Sequence, residues 1–301
     1  MKKILITGSA GFSGRHFKQY LQSFDDVEVT GIDINSSPER NEIQCDLLRL
    51  EEIERIMKKI RPDYIIHLAG INKCDDFRQY YYLNLFTTIN LLEAVVINNL
   101  LNSRILVISS SAVYGLSSSL KVKENDPLNP ITFYGNSKLA MESIVFQYIR
   151  NYNLRINVAR PFNIIGTGQP KTLVVSAFLD RLSKIKSKKA PSVLKVGNLS
   201  AIRDFIDVRD VVRAYWKILN TDISGEIYNI GTSLPTRVET ILSKLIRLIK
   251  VDVKIEYDRS KIQKHDVPRQ VADTSKISKL GWKPQIELDE SLEKLVMGSM
   301  Q

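Results

Sequence analysis

No apolar run in the chain reaches the roughly 18 residues that a membrane span requires, so neither a transmembrane segment nor a membrane partner is expected. Cysteine is scarce. Cys45 and Cys74 make neither a disulfide framework nor a metal-ligand spacing, which predicts no metal and two reduced thiols in a cytoplasmic protein. Internal repeats and low-complexity segments are absent, which excludes solenoids and disordered linkers. The opening "MKKILITGSAGF" is basic and then apolar, like a signal peptide. Its early glycines and its lack of a small-residue cleavage pattern argue against one. Acidic residues are outnumbered, 33 to 43, giving a net charge of +10. The densest basic patch, "RLSKIKSKK" (181–189), has no interleaved aromatic residues. It reads as a solvated helix end, with no nucleic-acid partner expected. A basic surface also suits small acidic substrates such as nucleoside diphosphates.

What is present is a large core. With 301 residues, 44% hydrophobic and 25% charged, the chain can build one large or two medium domains. Short runs rich in Ile and Val predict strands at 2–7, 27–33, 64–70, 104–110 and 155–161, buried on both faces. Helical patterns lie between them at 12–22, 50–60, 79–99 and 134–151. This alternation predicts an α/β fold with a doubly wound parallel sheet. After Pro161 the rhythm changes to loop-like segments, with helices expected at 207–219 and 236–249 and a strand in "GEIYNIG" (225–231). Thr236 and Glu239 have the capping-box spacing for the second of these helices. The tail reads as two short helices around a Gly-Trp turn. The expected division is a dinucleotide-binding domain at 1–165, to which 203–232 returns, and a smaller C-terminal α/β substrate domain at 166–301.

"ITGSAGFSG" follows the first strand and opens the first helix. Gly8, Gly11 and Gly14 are spaced to turn the chain sharply, admit a pyrophosphate to backbone N–H groups and pack helix on strand. Glycine-rich turns also occur for structural reasons alone. Asp33 ends the second strand about 20 residues on, where a carboxylate takes ribose hydroxyls and repels a 2′-phosphate. This favours NAD(H) and leaves NADP(H) as the alternative. A helix cap or surface turn is the plainer reading of Asp33. "CDLL" (45–48) and "HLAG" (67–70) sit where loops leave strand ends, at the binding crevice of an open parallel sheet.

"FYGNSK" (133–138) puts Tyr134 and Lys138 four positions apart, on one face if helical. Packing plus a solvated charge is one explanation. The other is chemistry. The fourth strand runs into "SSSAVYG" (109–115), whose serine could polarise a carbonyl while Tyr134 hands it a proton. A free tyrosine has a pKa of about 10, and the Lys138 ammonium would favour its phenolate.

The glycine turn, the strand-end serine and Tyr-x-x-x-Lys together resemble the extended short-chain dehydrogenase/reductases, the sugar-nucleotide epimerase/dehydratase family, over nearly the whole chain. The resemblance implies a Rossmann-like sheet and a nucleotide-diphosphate sugar substrate. In that family the catalytic hydroxyl precedes the tyrosine of "VYG" by four positions, which selects Ser110, with Ser111 the near competitor. Tyr134 and Lys138 match the catalytic pair. The resemblance places Gly8, Gly11, Phe12, Ser13, Gly14, Asp33, Ile34, Asp46, Leu47, Leu68, Ala69, Gly70, Asn84, Ser109, Tyr134, Lys138 and Pro161 around the cofactor. It places Ser110, Ser111, Asn163, Arg203, Lys264 and Arg269 around the substrate. It also implies a homodimer through the helices at 79–99 and 134–151.

Dehydratases of this family carry Asp-Glu directly after the catalytic hydroxyl. Ser111 and Ala112 stand there, which leaves reductase and epimerase. "RPFNIIGTGQ", "RDFIDVRDVVRAY" and the C-terminal "HDVPRQVADTSKISKLGW" most resemble the GDP-4-keto-6-deoxy-D-mannose reductases, which make deoxyhexose donors for surface polysaccharide. Ile164 and Gly166-Thr167-Gly168-Gln169 depart from that pattern. So does Gln263, where an arginine near the diphosphate is usual. A dTDP- or UDP-linked sugar therefore competes with the GDP-linked one, and Lys264 or Arg269 could replace the lost charge.

Overall fold

The computed structural model describes residues 1–35, 42–261 and 267–299. The Ile- and Val-rich runs form a seven-stranded sheet: β1 (Lys2–Thr7), β2 (Val27–Asp33), β3 (Glu42–Gln44), β4 (Tyr64–His67), β5 (Arg104–Ile108), β6 (Arg155–Pro161) and β11 (Ile227–Ile230). Their order is β11-β6-β5-β4-β1-β2-β3, and every ladder is parallel. Side chains alternate between the two faces. Ile4 and Ile6 pack with Phe17 of α1 (Phe12–Leu21) and Val211 of α7 (Val208–Leu219). Leu5 faces the other way, into a cluster with Ile53 of α2 (Leu50–Ile60), Leu91 of α4 (Thr87–Ile97) and Val145 of α5 (Phe133–Tyr152). Both faces are therefore dry around β1, β4 and β5, which is why these strands read as continuous apolar runs, whereas β2, expected to be buried on both faces, lies toward the sheet edge and is half-buried over much of its length. Each fully buried Ile or Leu contributes roughly 1.5–3 kcal/mol.

The strand order reverses between β1 and β4. Connections leaving these neighbours diverge, so a crevice opens above their carboxyl ends. β4 and β5 stop at His67 and Ile108, earlier than the expected 70 and 110, because the chain then leaves the sheet to line that crevice.

The helix expected over 79–99 is interrupted. Arg78–Tyr80 (α3) runs into a π-helical turn at Tyr81–Phe86 before α4 begins. Such turns carry one extra residue and commonly mark functional sites. This one contains Asn84, whose fully buried amide reaches back to the 70–71 loop.

A second core lies beyond Pro161. It joins α6 (Val174–Lys186), β8 (Val193–Val196), α8 (Val238–Ile249) and α10 (Leu288–Ser299) through Leu182, Leu194, Leu245 and Leu292. Short pairs surround it: β7 (Asn163–Ile165) with β10 (Phe205–Asp207), β13 (Lys254–Tyr257) with β8, and the trio β12 (Thr236–Arg237), β9 (Ile202–Arg203) and β14 (Arg269–Gln270). Here the expected Thr236 cap fails. Thr236 is taken into β12 opposite Arg203, and α8 has no side-chain cap. The carbonyls of Ala201 and Leu199 accept the Val238 and Glu239 N–H groups instead, at 3.0 Å each. A neighbouring loop thus satisfies the helix end. The tail forms α9 (Ser275–Ser278) and α10 on either side of Gly281-Trp282.

Candidate active site

β1 ends at Thr7, and the chain turns at Gly8 with φ of +69°, where a Cβ would also lie 2.6 Å from the Ala69 nitrogen. Glycine relieves both conflicts. Gly14 lets α1 approach the turn, since a Cβ there would collide with the Gly8 carbonyl oxygen. A Cβ on Gly11 would meet only that same oxygen within 4 Å. Gly11 caps α1 with no side-chain hydrogen bond, so the cap itself leaves the amides of Phe12 and Ser13 at the positive end of the helix to another acceptor. This cradle fits a pyrophosphate. Asp33 closes one side of it, accepting the Ala10 N–H at 3.1 Å and the Asn35 N–H at 2.9 Å. Ile34, just beyond, is exposed. Asp46 and Leu47 follow β3, with the Leu47 carbonyl held by Asn90 at 2.8 Å.

The next wall is the loop after β4. Leu68 N–H bonds the Thr7 carbonyl at 3.1 Å, and Ala69 N–H bonds the Thr7 hydroxyl at 3.2 Å. His67 stands behind them, fully buried, with its ring nitrogens 2.7 Å from Thr7 Oγ1 and 2.9 Å from Thr88 Oγ1. Burial first, and the Lys138 ammonium second, lower its pKa to about 3, so the ring is neutral. Asn84 grips Ile71 at both ends, accepting its N–H at 2.9 Å and donating to its carbonyl at 3.1 Å. It also donates to Ser137 Oγ at 3.0 Å. A Cβ on Gly70 would fall 2.5 Å from Asn84 Oδ1. The Asn84 amide is thus committed to the loop that shapes the crevice.

Thr132 caps α5 by accepting the Gly135 N–H at 3.0 Å, which presents Tyr134 and Lys138 in successive turns. Tyr134 is half-buried, with its hydroxyl surrounded by protein. Burial raises its pKa above the usual 10, and a hydrogen bond from Ser110 partly offsets the rise. Ser110 also accepts the Ala112 N–H at 3.1 Å. Lys138 is buried and donates to the Ile108 carbonyl at 2.8 Å. Desolvation lowers its pKa to about 8, and nearby Glu142 partly resists. Sequence reasoning expected Lys138 to pull the phenol toward phenolate. Here the Lys138 ammonium is turned to the Ile108 carbonyl, the one lowering influence on the phenol is the Ser110 hydrogen bond, and burial keeps Tyr134 protonated at neutral pH.

Ser109 Oγ is buried with no hydrogen-bond partner, and Pro161 ends β6 nearby, where Ser109 N–H meets the Ala159 carbonyl at 2.8 Å. The orphaned hydroxyl and the glycine cradle both fit a nicotinamide dinucleotide. Asn163 opens β7 and donates to the Asp204 carbonyl at 3.0 Å, which fixes it beside Arg203. Arg203 Nη1 donates to the Ile202 carbonyl at 2.9 Å, and Arg269 Nε to the Leu120 carbonyl at 3.0 Å. Lys264 lies outside the described residues. Ser111, the near competitor of Ser110, points away and donates to Gln270 Oε1 at 3.2 Å.

Sequence reasoning missed the polar support. Arg160, only 1% exposed, binds Glu142 at 2.9 and 2.6 Å and Tyr114 Oη at 2.9 Å, beneath the crevice. An arginine following the apolar stretch of β6 was the available signal. Tyr80 lies against Tyr134, with ring centroids 6.0 Å apart. A separate cavity of about 550 Å³ lies between α1, α7 and α10, but none of Ser110, Tyr134 and Lys138 lines it. Its Arg209 and Arg213 are already paired with Asp207, Glu290 and Asp210. Among the described residues no cluster could hold a metal ion, and no helix is long and apolar enough to cross a membrane.

The parallel sheet, the glycine cradle and the Ser110–Tyr134–Lys138 set define an extended short-chain dehydrogenase/reductase, an NAD(P)-dependent oxidoreductase acting on sugar nucleotides. The chain belongs to the GDP-mannose 4,6 dehydratase family, whose model matches residues 5–295. It is 30% identical to the GDP-6-deoxy-D-mannose reductase of Pseudomonas aeruginosa, over 98% of this chain and 96% of that protein. It is 33% identical to a putative UDP-glucose 4-epimerase of Methanocaldococcus jannaschii, over 97% of each. Its fold matches RMD from Pseudomonas aeruginosa complexed with NADPH with a TM-score of 0.88 at 28% identity, over 99% of this chain and 98% of that one.

Proposed function

We propose that the protein reduces the C4 ketone of a nucleotide-linked 4-keto-6-deoxyhexose. The observation that carries this reading is a protonated, enclosed Tyr134 bonded to Ser110, followed by Ser111 and Ala112 where elimination would need two carboxyl groups. When bound, the nicotinamide dinucleotide supplies the hydride. Ser110 polarises the carbonyl, and Tyr134 gives its phenolic proton to the oxygen that becomes the alcohol. The Lys138 ammonium then steadies the phenolate left behind. In this reading residues 1–165 and 203–232 hold the dinucleotide and the rest of 166–301 the sugar nucleotide, with Asn163, Arg203 and Arg269 toward the sugar and diphosphate. NAD(H) is preferred over NADP(H) because of Asp33. The setting is cytoplasmic.

Exposed apolar side chains on the helices bordering the site, Tyr82, Phe86, Ile97 and Tyr152, support a homodimer through them. Sedimentation should give twice the chain mass, and Phe86→Glu should halve it. A wild-type monomer at micromolar concentration would refute the dimer.

The likeness to a putative epimerase favours a second reading, interconversion of UDP-hexoses at C4. GDP-, dTDP- and UDP-linked 4-keto-6-deoxy sugars with NADH or NADPH separate the two. Loss of reduced cofactor with one of them, giving a 6-deoxyhexose, supports the reductase. Epimerisation of a UDP-hexose without reduction of any of them overturns it.

A further inference from the structure

Gln270 is buried on β14, 159 positions from Ser111, yet its side-chain amide clasps that residue twice. Gln270 Oε1 accepts from Ser111 Oγ at 3.2 Å, and Nε2 donates to the Ser111 carbonyl at 2.8 Å. Ser111 directly follows Ser110 and begins the 3₁₀ turn whose Ala112 N–H is capped by Ser110 Oγ. The place of the Ser110 hydroxyl therefore depends on how that turn is held. On the other side, Gln270 is the register partner of Arg203 in the β9–β14 ladder. Flanking bonds stitch the same segment to the loop after the turn: Val122 N–H to the Val271 carbonyl and Asp273 N–H to the Val122 carbonyl, both at 2.8 Å.

We infer that Gln270 is a positioning residue for the catalytic serine, linking the strand pair that carries Arg203 to Ser110. This rests on the reading of Ser110 as the group that polarises the substrate carbonyl. A sugar nucleotide spans both ends of the link: its diphosphate engages the arginine strand while its ketone lies at Ser110. Gln270 holds those two ends at a fixed separation. A carboxamide suits the task because Ser111 offers one acceptor and one donor, and a single amide answers both. Groups that position a reacting carbonyl act on turnover more than on ground-state binding.

The test compares wild type with Gln270→Met, which keeps the volume and removes both bonds, and with Ser111→Ala, which removes one. Steady-state kinetics use whichever 4-keto-6-deoxy sugar nucleotide the wild type reduces. For Gln270→Met, kcat should fall about tenfold or more while KM for the sugar nucleotide stays within about threefold; Ser111→Ala should lose less, in kcat alone. If the wild type epimerises UDP-hexoses instead, the reductase reading fails, and the same comparison on epimerisation decides this one. A crystal structure of Gln270→Met gives a readout without turnover, with Ser110 Oγ expected to leave Tyr134. An unchanged kcat, a change confined to KM, or a Ser110 superimposable on wild type would overturn the inference. If Gln270→Met does not fold, Ser111→Ala decides it by the same split.

Discussion

Gly135 lies so close to Ala112 that a Cβ on it would fall 2.6 Å from the Ala112 carbonyl oxygen. The turn carrying Ser110 and the helix carrying Tyr134 are therefore in backbone contact, and the two hydroxyls meet because their main chains do. Tyr134→Phe removes one oxygen and leaves this contact untouched. Turnover should fall by about 10²–10⁴-fold with dinucleotide affinity and melting temperature near wild type. Activity within a few-fold of wild type would exclude Tyr134 as the acid.

Lys138 brings a pH dependence. With its pKa lowered to about 8, the ammonium is present below that pH and is lost above it. The reduction rate should accordingly decline as pH rises through about 8. Lys138→Met should be slow at every pH and lack that limb. The check is kcat against pH for both proteins.

Asp33 should decide the cofactor. Its carboxylate sits against the glycine turn at Ala10, where a 2′-phosphate would bring a second anion. The expected kcat/KM is higher with NADH than with NADPH, and Asp33→Asn should narrow the gap. RMD was solved with NADPH, so equal or better use of NADPH by the wild type would align this chain with that relative and refute the assignment.

Arg160 and Glu142 are a buried pair at 1% and 3% side-chain exposure. Arg160→Met leaves a carboxylate without its partner in a dry site, which should cost about 3–5 kcal/mol of stability by chemical denaturation. The double variant Arg160→Met, Glu142→Leu should recover most of it. A single variant as stable as wild type would show that the pair contributes nothing.

His67 predicts acid sensitivity. Its folded pKa is lowered to about 3 from its ordinary 6.5, so the unfolded chain takes up a proton that the folded chain refuses. Its contribution is complete above pH 6.5. It declines by about 1.4 kcal/mol per pH unit as pH falls toward 3. His67→Gln should flatten the stability profile over that window.

The sequence carried the central sheet well, since strands buried on both faces tend to continuous apolar runs, as β1, β4 and β5 show, while the partly exposed β2 (VEVTGID) was found by its Val and Ile residues alone. The glycine turn and Tyr-x-x-x-Lys were legible because each is a local pattern with a fixed spacing. The two-residue strands β9, β12 and β14 were not, because each exists only through partners far along the chain. The cap of α8 failed for the same reason: carbonyls from 199–201 took the place of the side chain written beside it. The Asn84 amide needed the π-helical turn, and no periodicity in "YYLNLF" announces one. Gln270 offered no signal, as a single glutamine gains meaning only opposite Ser111 and Arg203.

The Asp204 carboxylate gathers the Thr232 N–H and hydroxyl, the Ser233 N–H and the Ala272 N–H. During synthesis these groups leave the ribosome in that order, and the last follows Asp204 by 68 positions. Until Ala272 emerges, the buried carboxylate lacks a donor, and the segment bearing Arg203 lacks its β14 neighbour. The ladders from β1 to β6 join residues less far apart, although α7, which covers one face of that sheet, follows them late. The nascent chain should therefore close its β1–β6 ladders before the β9–β14 pair, which waits for the chain to near completion, in keeping with the slow closure of contacts between distant segments.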